Sequence, residues 1–312
     1  MVKPVASVGT VPEKTEKNGQ CVLKIIIFAS VVYLQTGKTM STYTPTDPKK
    51  VTTKRIKDMM LAGEKIAMIT SYDYTMASLV DQAGIDIILV GDSASNVMQG
   101  HDTTLPITVD DMIVYGRTVA RAAKRAMVLV DMPFGSYQGD PIEAQRNAVR
   151  IMRETGADGV KLEGGREMRG AIEMILRAGI PVMGHLGLTP QSINKFGTYA
   201  TRATDEAEAL RLIADAKVLD EAGCFAIVLE KIPAELAAKV TQSVSVPIIG
   251  IGAGPACAGQ VLVAHDMLGL NRSFKPKFLR VYNNLGEQII DSVGNYIIDV
   301  KNGDFPNENE QY

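Results

Sequence analysis

Eight short runs of apolar, largely β-branched residues recur after residue 65, and stretches of helical character separate most of them. They fall at 66–70 (IAMIT), 86–90 (DIILV), 127–131 (MVLVD), 159–163 (GVKLE), 181–185 (PVMGH), 225–230 (FAIVLE), 247–252 (PIIGIG) and 260–265 (QVLVAH). Most are near-continuous rather than alternating, which marks strands covered on both faces, as in a parallel sheet. Eight such strands interleaved with helices predict an α/β protein with a single (β/α)8 TIM barrel, and an open doubly wound sheet is the second architecture. Helices are predicted over 74–83, 109–125, 141–155, 166–178, 204–222 and 233–243. Asp73, Thr108 and Asp140 stand where N-caps belong, with Pro141 at the first helical position. Gly156, Gly179 and Gly223 fit helix C-termini, where a left-handed residue is favoured. A helix is expected between runs seven and eight as well, in a link that is short for one. The barrel is expected over 51–302, helical near its end, with a polar tail over 303–312.

Residues 1–50 are expected to form an irregular extension outside the barrel. The apolar run at 21–35 is interrupted by Lys24 and is shorter than the ~20 residues a membrane helix needs. Glu13 and Glu16 precede it, and no small-residue cleavage site follows. Residues 1–39 are therefore read as a disordered tail or as translated upstream sequence, with Met40 a natural start and a membrane anchor the alternative.

The net charge of −2 gives no electrostatic case for nucleic acid or an anionic membrane as partner. Cys21, Cys224 and Cys257 are odd in number and show no zinc spacing, which fits reduced thiols in the cytoplasm.

Several of the runs end in an ionisable residue, which a doubly covered strand has little reason to carry. Asp92 and Ser93 follow the second, Asp131 closes the third, His185 the fifth and Glu230 the sixth. Lys161 and Glu163 lie two apart on the fourth, and a period of two puts them on one face. Taken singly, each carboxylate can be a helix cap or a turn former, and His185 a satisfied core histidine. In a barrel, however, all of them converge on the C-terminal mouth, where such folds hold their active sites.

Asp92, Asp131 and Glu163 offer hard oxygen ligands without a histidine or cysteine cluster, which favours Mg²⁺ over Zn²⁺. A 2-oxo acid chelated to Mg²⁺ would have a polarised carbonyl, an acidified adjacent C–H and a stabilised enolate. Lys161 would neutralise substrate carboxylate or enolate charge, and Glu230 is the best-placed base. His185 is a candidate contact to substrate or to these ligands, whereas His101 and His265 read as structural. The glycine-rich segment 250–254 occupies a barrel's phosphate-binding position, but it fits equally a tight turn that admits close approach.

VGDS at 90–93, GHDTTLPIT at 100–108, DMPF at 131–134, VKLEGG at 160–165, GHLGLTPQSINKFG at 184–197 and GIGAGPACAGQVLVAHDMLG at 250–269 together resemble the ketopantoate hydroxymethyltransferase family, over about residues 52–285. The resemblance implies a barrel of the phosphoenolpyruvate/pyruvate type. It implies transfer of a hydroxymethyl group from 5,10-methylenetetrahydrofolate to 3-methyl-2-oxobutanoate, giving 2-dehydropantoate for pantothenate biosynthesis. By position it implies Asp92, Asp131 and Glu163 at the metal; Asp92, Ser93, Asp131 and Lys161 at the 2-oxo acid; and Glu230 as proton acceptor. It also implies a homo-oligomer, a decamer. The competing expectations are a Mg²⁺-dependent C–C lyase or mutase of the same superfamily, a non-catalytic barrel, and a sugar-phosphate isomerase suggested only by the glycine loop.

Overall fold

The computed structural model describes residues 49–312; the expectations for residues 1–39 and for the apolar run at 21–35 lie outside them. Eight parallel strands close into a barrel in sequence order, with the last hydrogen-bonded to the first. They are β1 (Ile66–Thr70), β2 (Ile87–Val90), β3 (Met127–Asp131), β4 (Gly159–Glu163), β5 (Val182–Gly187), β6 (Ala226–Glu230), β7 (Ile248–Ile251) and β8 (Gly259–Leu262). Closure excludes the doubly wound sheet.

The helices are α1 (Thr53–Leu61), α2 (Tyr74–Gln82), α3 (Ala94–Val97), α4 (Val109–Ala122), α5 (Pro141–Thr155), α6 (Arg169–Arg177), α7 (Ile193–Phe196), α8 (Glu206–Ala222), α9 (Ala234–Ser243), α10 (Ala264–Met267) and α11 (Leu285–Asn302). Their ends follow local chemistry. Thr108 and Asp111 form a reciprocal capping box at α4. Asp140 accepts from Ile142 N ahead of Pro141 at α5, and Gly156 ends that helix in the left-handed region at φ 74°.

Strand alternation sorts the core into two shells. Inside the barrel lie Met68, Ile87, Leu89, Met127, Leu129, Met183, Ala226, Val228, Ile249 and Val261, with Ile56 and Met59 of α1 in the same cluster. Between barrel and helices lie Ile88, Val90, Val128, Val130, Val160, Leu162 and Leu229. Cys224 and Cys257 are buried free thiols.

Three expectations need correction. The predicted helix over 166–178 opens as a 3-10 turn, Arg166–Met168, before α6. No helix joins β7 to β8; a glycine-rich turn does. β8 begins at Gly259 rather than Gln260 and ends at Leu262, so His265 lies in α10 rather than on a strand. The register explains this start: Gly259 sits opposite Ile66, and a Cβ there would stand 2.4 Å from Ile66 O.

Candidate active site

The same alternation that fills the barrel with apolar side chains places the polar ones at its mouth. Asp131 continues the inward set of Met127 and Leu129, His185 that of Met183, and Glu230 that of Ala226 and Val228. Pairing then aligns them across strands: Asp131 with Lys161, and Glu163 with His185. Asp92 and Ser93 lie just past β2.

Lys161 Nζ lies 3.0 Å from Asp131 Oδ1 and 3.3 Å from His185 Nδ1. His185 stands between two carboxylates, with Glu163 Oε1 3.4 Å from Nδ1 and Glu230 Oε2 3.4 Å from Nε2. Asp131 Oδ2 accepts from the backbone N–H of Asp92 at 3.0 Å. Ser93 Oγ is 2.7 Å from the buried Tyr72 hydroxyl. Asp92, Asp131, Lys161, Glu163 and His185 are all buried, and Glu230 is partly open to the cavity they line. Immediately after Glu230, Lys231 adopts φ 47°, a conformation costly for a side chain with a Cβ. Its N–H donates to Ile251 O at 2.8 Å, and its ammonium group to Tyr199 O.

Burial first, then the neighbouring Glu163 carboxylate, raises Asp92 to about 6. Burial also raises Asp131 to about 6, against the opposing pull of Lys161. Burial acts to lower Lys161, but the surrounding carboxylates outweigh it and hold the ammonium protonated. For His185, burial and Lys161 act downward, while Glu163 and Glu230 prevail and raise it to about 9. A raised carboxylate contributes stability that is complete below its unfolded pKa and is lost as pH rises through the folded value. Asp92→Asn, which removes that titration, should therefore gain stability relative to the metal-free parent as pH rises from 3.8 to about 6. Urea denaturation at a series of pH values checks this, and a relative loss over that interval would contradict it.

Three residues that the sequence did not single out hold this cluster in place. Gln191, in the turn after β5, is the centre of it. Its Nε2 donates to Asp92 Oδ2 at 2.9 Å and to Met132 O at 3.0 Å, and its backbone N–H donates to Glu163 Oε2 at 3.0 Å. Its Oε1 accepts from Tyr137 Oη at 2.7 Å, which fixes which end of the amide faces Asp92. Tyr137 Oη in turn accepts from Glu163 N at 3.1 Å, and Tyr72 supports Ser93. The signal for Gln191 was its place in the GHLGLTPQS segment, but its partners come from distant strands.

A divalent cation is compatible with these residues. Asp131 Oδ1 and Glu163 Oε1 are buried, and their contacts are the ion pairs with Lys161 and His185; each oxygen therefore keeps a lone pair for a hard cation. Among the described residues no three histidine, cysteine or acidic side chains form a ready cage. Mg²⁺ does not require one, because one or two carboxylates plus waters and substrate oxygens complete its octahedron. No helix of the described residues is long and apolar enough to cross a membrane.

Solved structures with this barrel include phosphonopyruvate hydrolase, at TM-score 0.55 and 11% identity over 83% of this chain and 93% of that one. A 2,3-dimethylmalate lyase of the PEP mutase/isocitrate lyase superfamily has TM-score 0.52 and 15% identity over 83% and 91%. At such identities the likeness concerns the fold. The sequence relatives are far nearer. The 3-methyl-2-oxobutanoate hydroxymethyltransferase of Parabacteroides distasonis is 64% identical over 85% of this chain and 97% of its own length. That of Porphyromonas gingivalis is 62% identical over 88% of this chain and 100% of its own. The family pattern described as ketopantoate hydroxymethyltransferase matches residues 50–308, and the chain is a transferase of that family.

Proposed function

We propose that the protein transfers a hydroxymethyl group from 5,10-methylenetetrahydrofolate to C3 of 3-methyl-2-oxobutanoate, giving 2-dehydropantoate in pantothenate biosynthesis. The observation that carries this reading is the placement of Glu230. Its carboxylate is at the cavity, 3.4 Å from His185 Nε2, and the other ring nitrogen of His185 lies 3.3 Å from the Lys161 ammonium that pairs with Asp131. A carboxylate base thus lines the same cavity as the Lys161 ammonium, the cation able to face developing negative charge.

Asp92 and Asp131 would hold Mg²⁺, with Glu163 as the further acidic residue of the metal site. The ion, when bound, supplies Lewis acidity that stabilises an enolate. Ser93 and Lys161 would bind the 2-oxo acid, Lys161 by facing its carboxylate and the charge that grows on the keto oxygen. Glu230 takes the C3 proton, and His185 orients that carboxylate. The methylene carbon gains a C–C bond to the nucleophilic carbon and a C–O bond to water as its bonds to the folate N10 and N5 break; the proton taken by Glu230 and one proton of the water pass to those two nitrogens. Water supplies the hydroxyl oxygen, and tetrahydrofolate leaves. A product assay by mass spectrometry tests the assignment. The expected result is 2-dehydropantoate only when 3-methyl-2-oxobutanoate, the folate and Mg²⁺ are all present. Turnover independent of folate would support a lyase or mutase instead.

We place the enzyme in the cytoplasm as a homo-oligomer, with family resemblance suggesting a decamer. Support for assembly comes from α11, which has no buried residue yet exposes Ile289, Ile290, Val293, Tyr296, Ile297 and Val300. Their spacing forms an apolar stripe on one helix face, and such patches mark association surfaces. Ile290→Asp combined with Ile297→Asp should shift sedimentation toward smaller species, whereas an unchanged sedimentation coefficient would place assembly elsewhere.

A further inference from the structure

The cavity at the barrel mouth has two chemically different halves. At about 610 Å³ it falls within the ~300–1,000 Å³ of pockets that bury a drug-sized ligand, which is more room than a small 2-oxo acid fills. The half lined by β2 to β6 carries the charged cluster. The other half is built by the chain after β8, which folds back over the mouth. Ala264 N donates to Thr70 Oγ1 at 3.0 Å, and Tyr282 N to Met267 O at 2.8 Å.

This second half is apolar and aromatic, with Val263, Phe274 and Phe278 lining it. Phe278 is seated on bare backbone: a Cβ on Gly252, at φ 63°, would come 3.0 Å from its ring. That contact gives the glycine-rich turn after β7 a purpose, because it lets an aromatic ring lie flat against the chain. Phe274 is 46% exposed, a large apolar surface left open at the cavity rim. Among these groups stands one carboxylate, Asp266, 7% exposed and lining the same cavity. Its Oδ1 accepts from Asn271 Nδ2 at 3.0 Å, which fixes the group's orientation. Its Oδ2 accepts no hydrogen bond from any described residue.

A carboxylate oxygen that no protein group meets, on a side chain 7% exposed and lining the cavity, is free to accept a hydrogen bond from a ligand there. Phenylalanine rings beside it ask for a flat partner. We propose that Asp266, Phe274 and Phe278 form the subsite for the heteroaromatic ring of the one-carbon donor: a flat, amino-substituted pyrimidinone-type ring. Its N–H edge is recognised by Asp266 and its faces are covered by the two phenylalanines. This rests on the folate reading given above and adds to it the residues that recognise the donor. The ring then lies beside the charged half of the cavity, so that the one-carbon unit is presented to the carbon that Glu230 deprotonates.

Tetrahydrofolate, which lacks the transferable carbon, is the probe. It is titrated calorimetrically, without oxygen, into the full-length parent protein, Asp266→Asn and Phe274→Ala. The last is a surface-exposed change that leaves the core intact. Asp266→Asn retains an oxygen for Asn271 and removes only the second acceptor. The expected result is roughly tenfold or greater weakening of tetrahydrofolate binding in Asp266→Asn, and weakening also in Phe274→Ala. Binding of 3-methyl-2-oxobutanoate with Mg²⁺ should stay within about twofold of the parent in both. If the parent binds tetrahydrofolate and both variants bind it equally well, the subsite is overturned and the folate reading stands. If the parent binds the 2-oxo acid but no tetrahydrofolate, the folate reading falls and the subsite falls with it. Loss of both ligands in both variants would assign these residues a structural role and overturn the proposal.

Discussion

Replacing Glu230 with glutamine lowers kcat by about 10²–10⁴, the usual contribution of a positioned general base. Binding of 3-methyl-2-oxobutanoate should change by no more than about twofold, because the interaction removed acts in the transition state rather than the ground state. The isostere preserves the contact to His185, which lies 3.4 Å away, so the variant separates base function from the shape of the site. Single-turnover kinetics alongside equilibrium binding of the 2-oxo acid measure the two quantities independently. Wild-type turnover in this variant would remove Glu230 from the mechanism and turn attention to Glu163, which contacts the opposite nitrogen of His185 at 3.4 Å.

Lys161→Met has the second large effect, on stability as well as on catalysis. Lys161 is 4% exposed, its ammonium group is 3.0 Å from Asp131 Oδ1, and it sits among the charges of Asp92 and Glu163. Removing one partner of a buried pair leaves the other uncompensated and costs about 3–5 kcal/mol. The loss should be largest above pH 6, where Asp92 and Asp131, both raised to about 6, are ionised. It should shrink on acidification, because protonation relieves the repulsion that Lys161 no longer offsets. Urea denaturation of the metal-free variant and parent at two pH values checks both sign and magnitude. A variant as stable as the parent above pH 6 would show that the carboxylates do not carry the charge attributed to them. Affinity for 3-methyl-2-oxobutanoate is expected to fall as well if Lys161 faces its carboxylate as proposed.

Much of this site was legible because the barrel converts a two-residue period into a place. Once 127–131 is read as a strand, Asp131 must share a face with Met127 and Leu129, and 159–163 puts Lys161 and Glu163 together in the same way. Convergence at one mouth then follows from closure, which local sequence suggests by strand count alone. What remained hidden depends on contacts between remote segments. Gln191 touches Asp92 across 99 residues of chain, and nothing near either residue announces the pair. Tyr137 looks like a loop tyrosine until its hydroxyl is seen between Gln191 and Glu163. The start of β8 is set by the backbone of Ile66 against Gly259, a steric fact with no local signature. The apolar half of the cavity was missed because Asp266, Phe274 and Phe278 fall after the last strand, where no periodic pattern directs attention.

The charged cluster also explains why the site tolerates so many buried ionisable groups. Asp92, Asp131 and Glu163 are held by a buried ammonium group, by Gln191 and by backbone donors, so little rearrangement is needed when further charge develops. Groups fixed before the reaction stabilise developing charge without reorganisation. The same arrangement meets Asp131 Oδ1 and Glu163 Oε1 only through the cationic Lys161 and His185, which leaves each oxygen a lone pair for a cation.

Exchange of the C3 proton of 3-methyl-2-oxobutanoate in D₂O, followed by NMR, tests the central claim most directly. The expected result is exchange that depends on Mg²⁺ and on Glu230, before any folate is added, with 2-dehydropantoate appearing only after 5,10-methylenetetrahydrofolate is supplied. Absence of both exchange and product in folded, Mg²⁺-supplemented protein would contradict the account, and the 2-oxo acid assignment would be the first part to be abandoned.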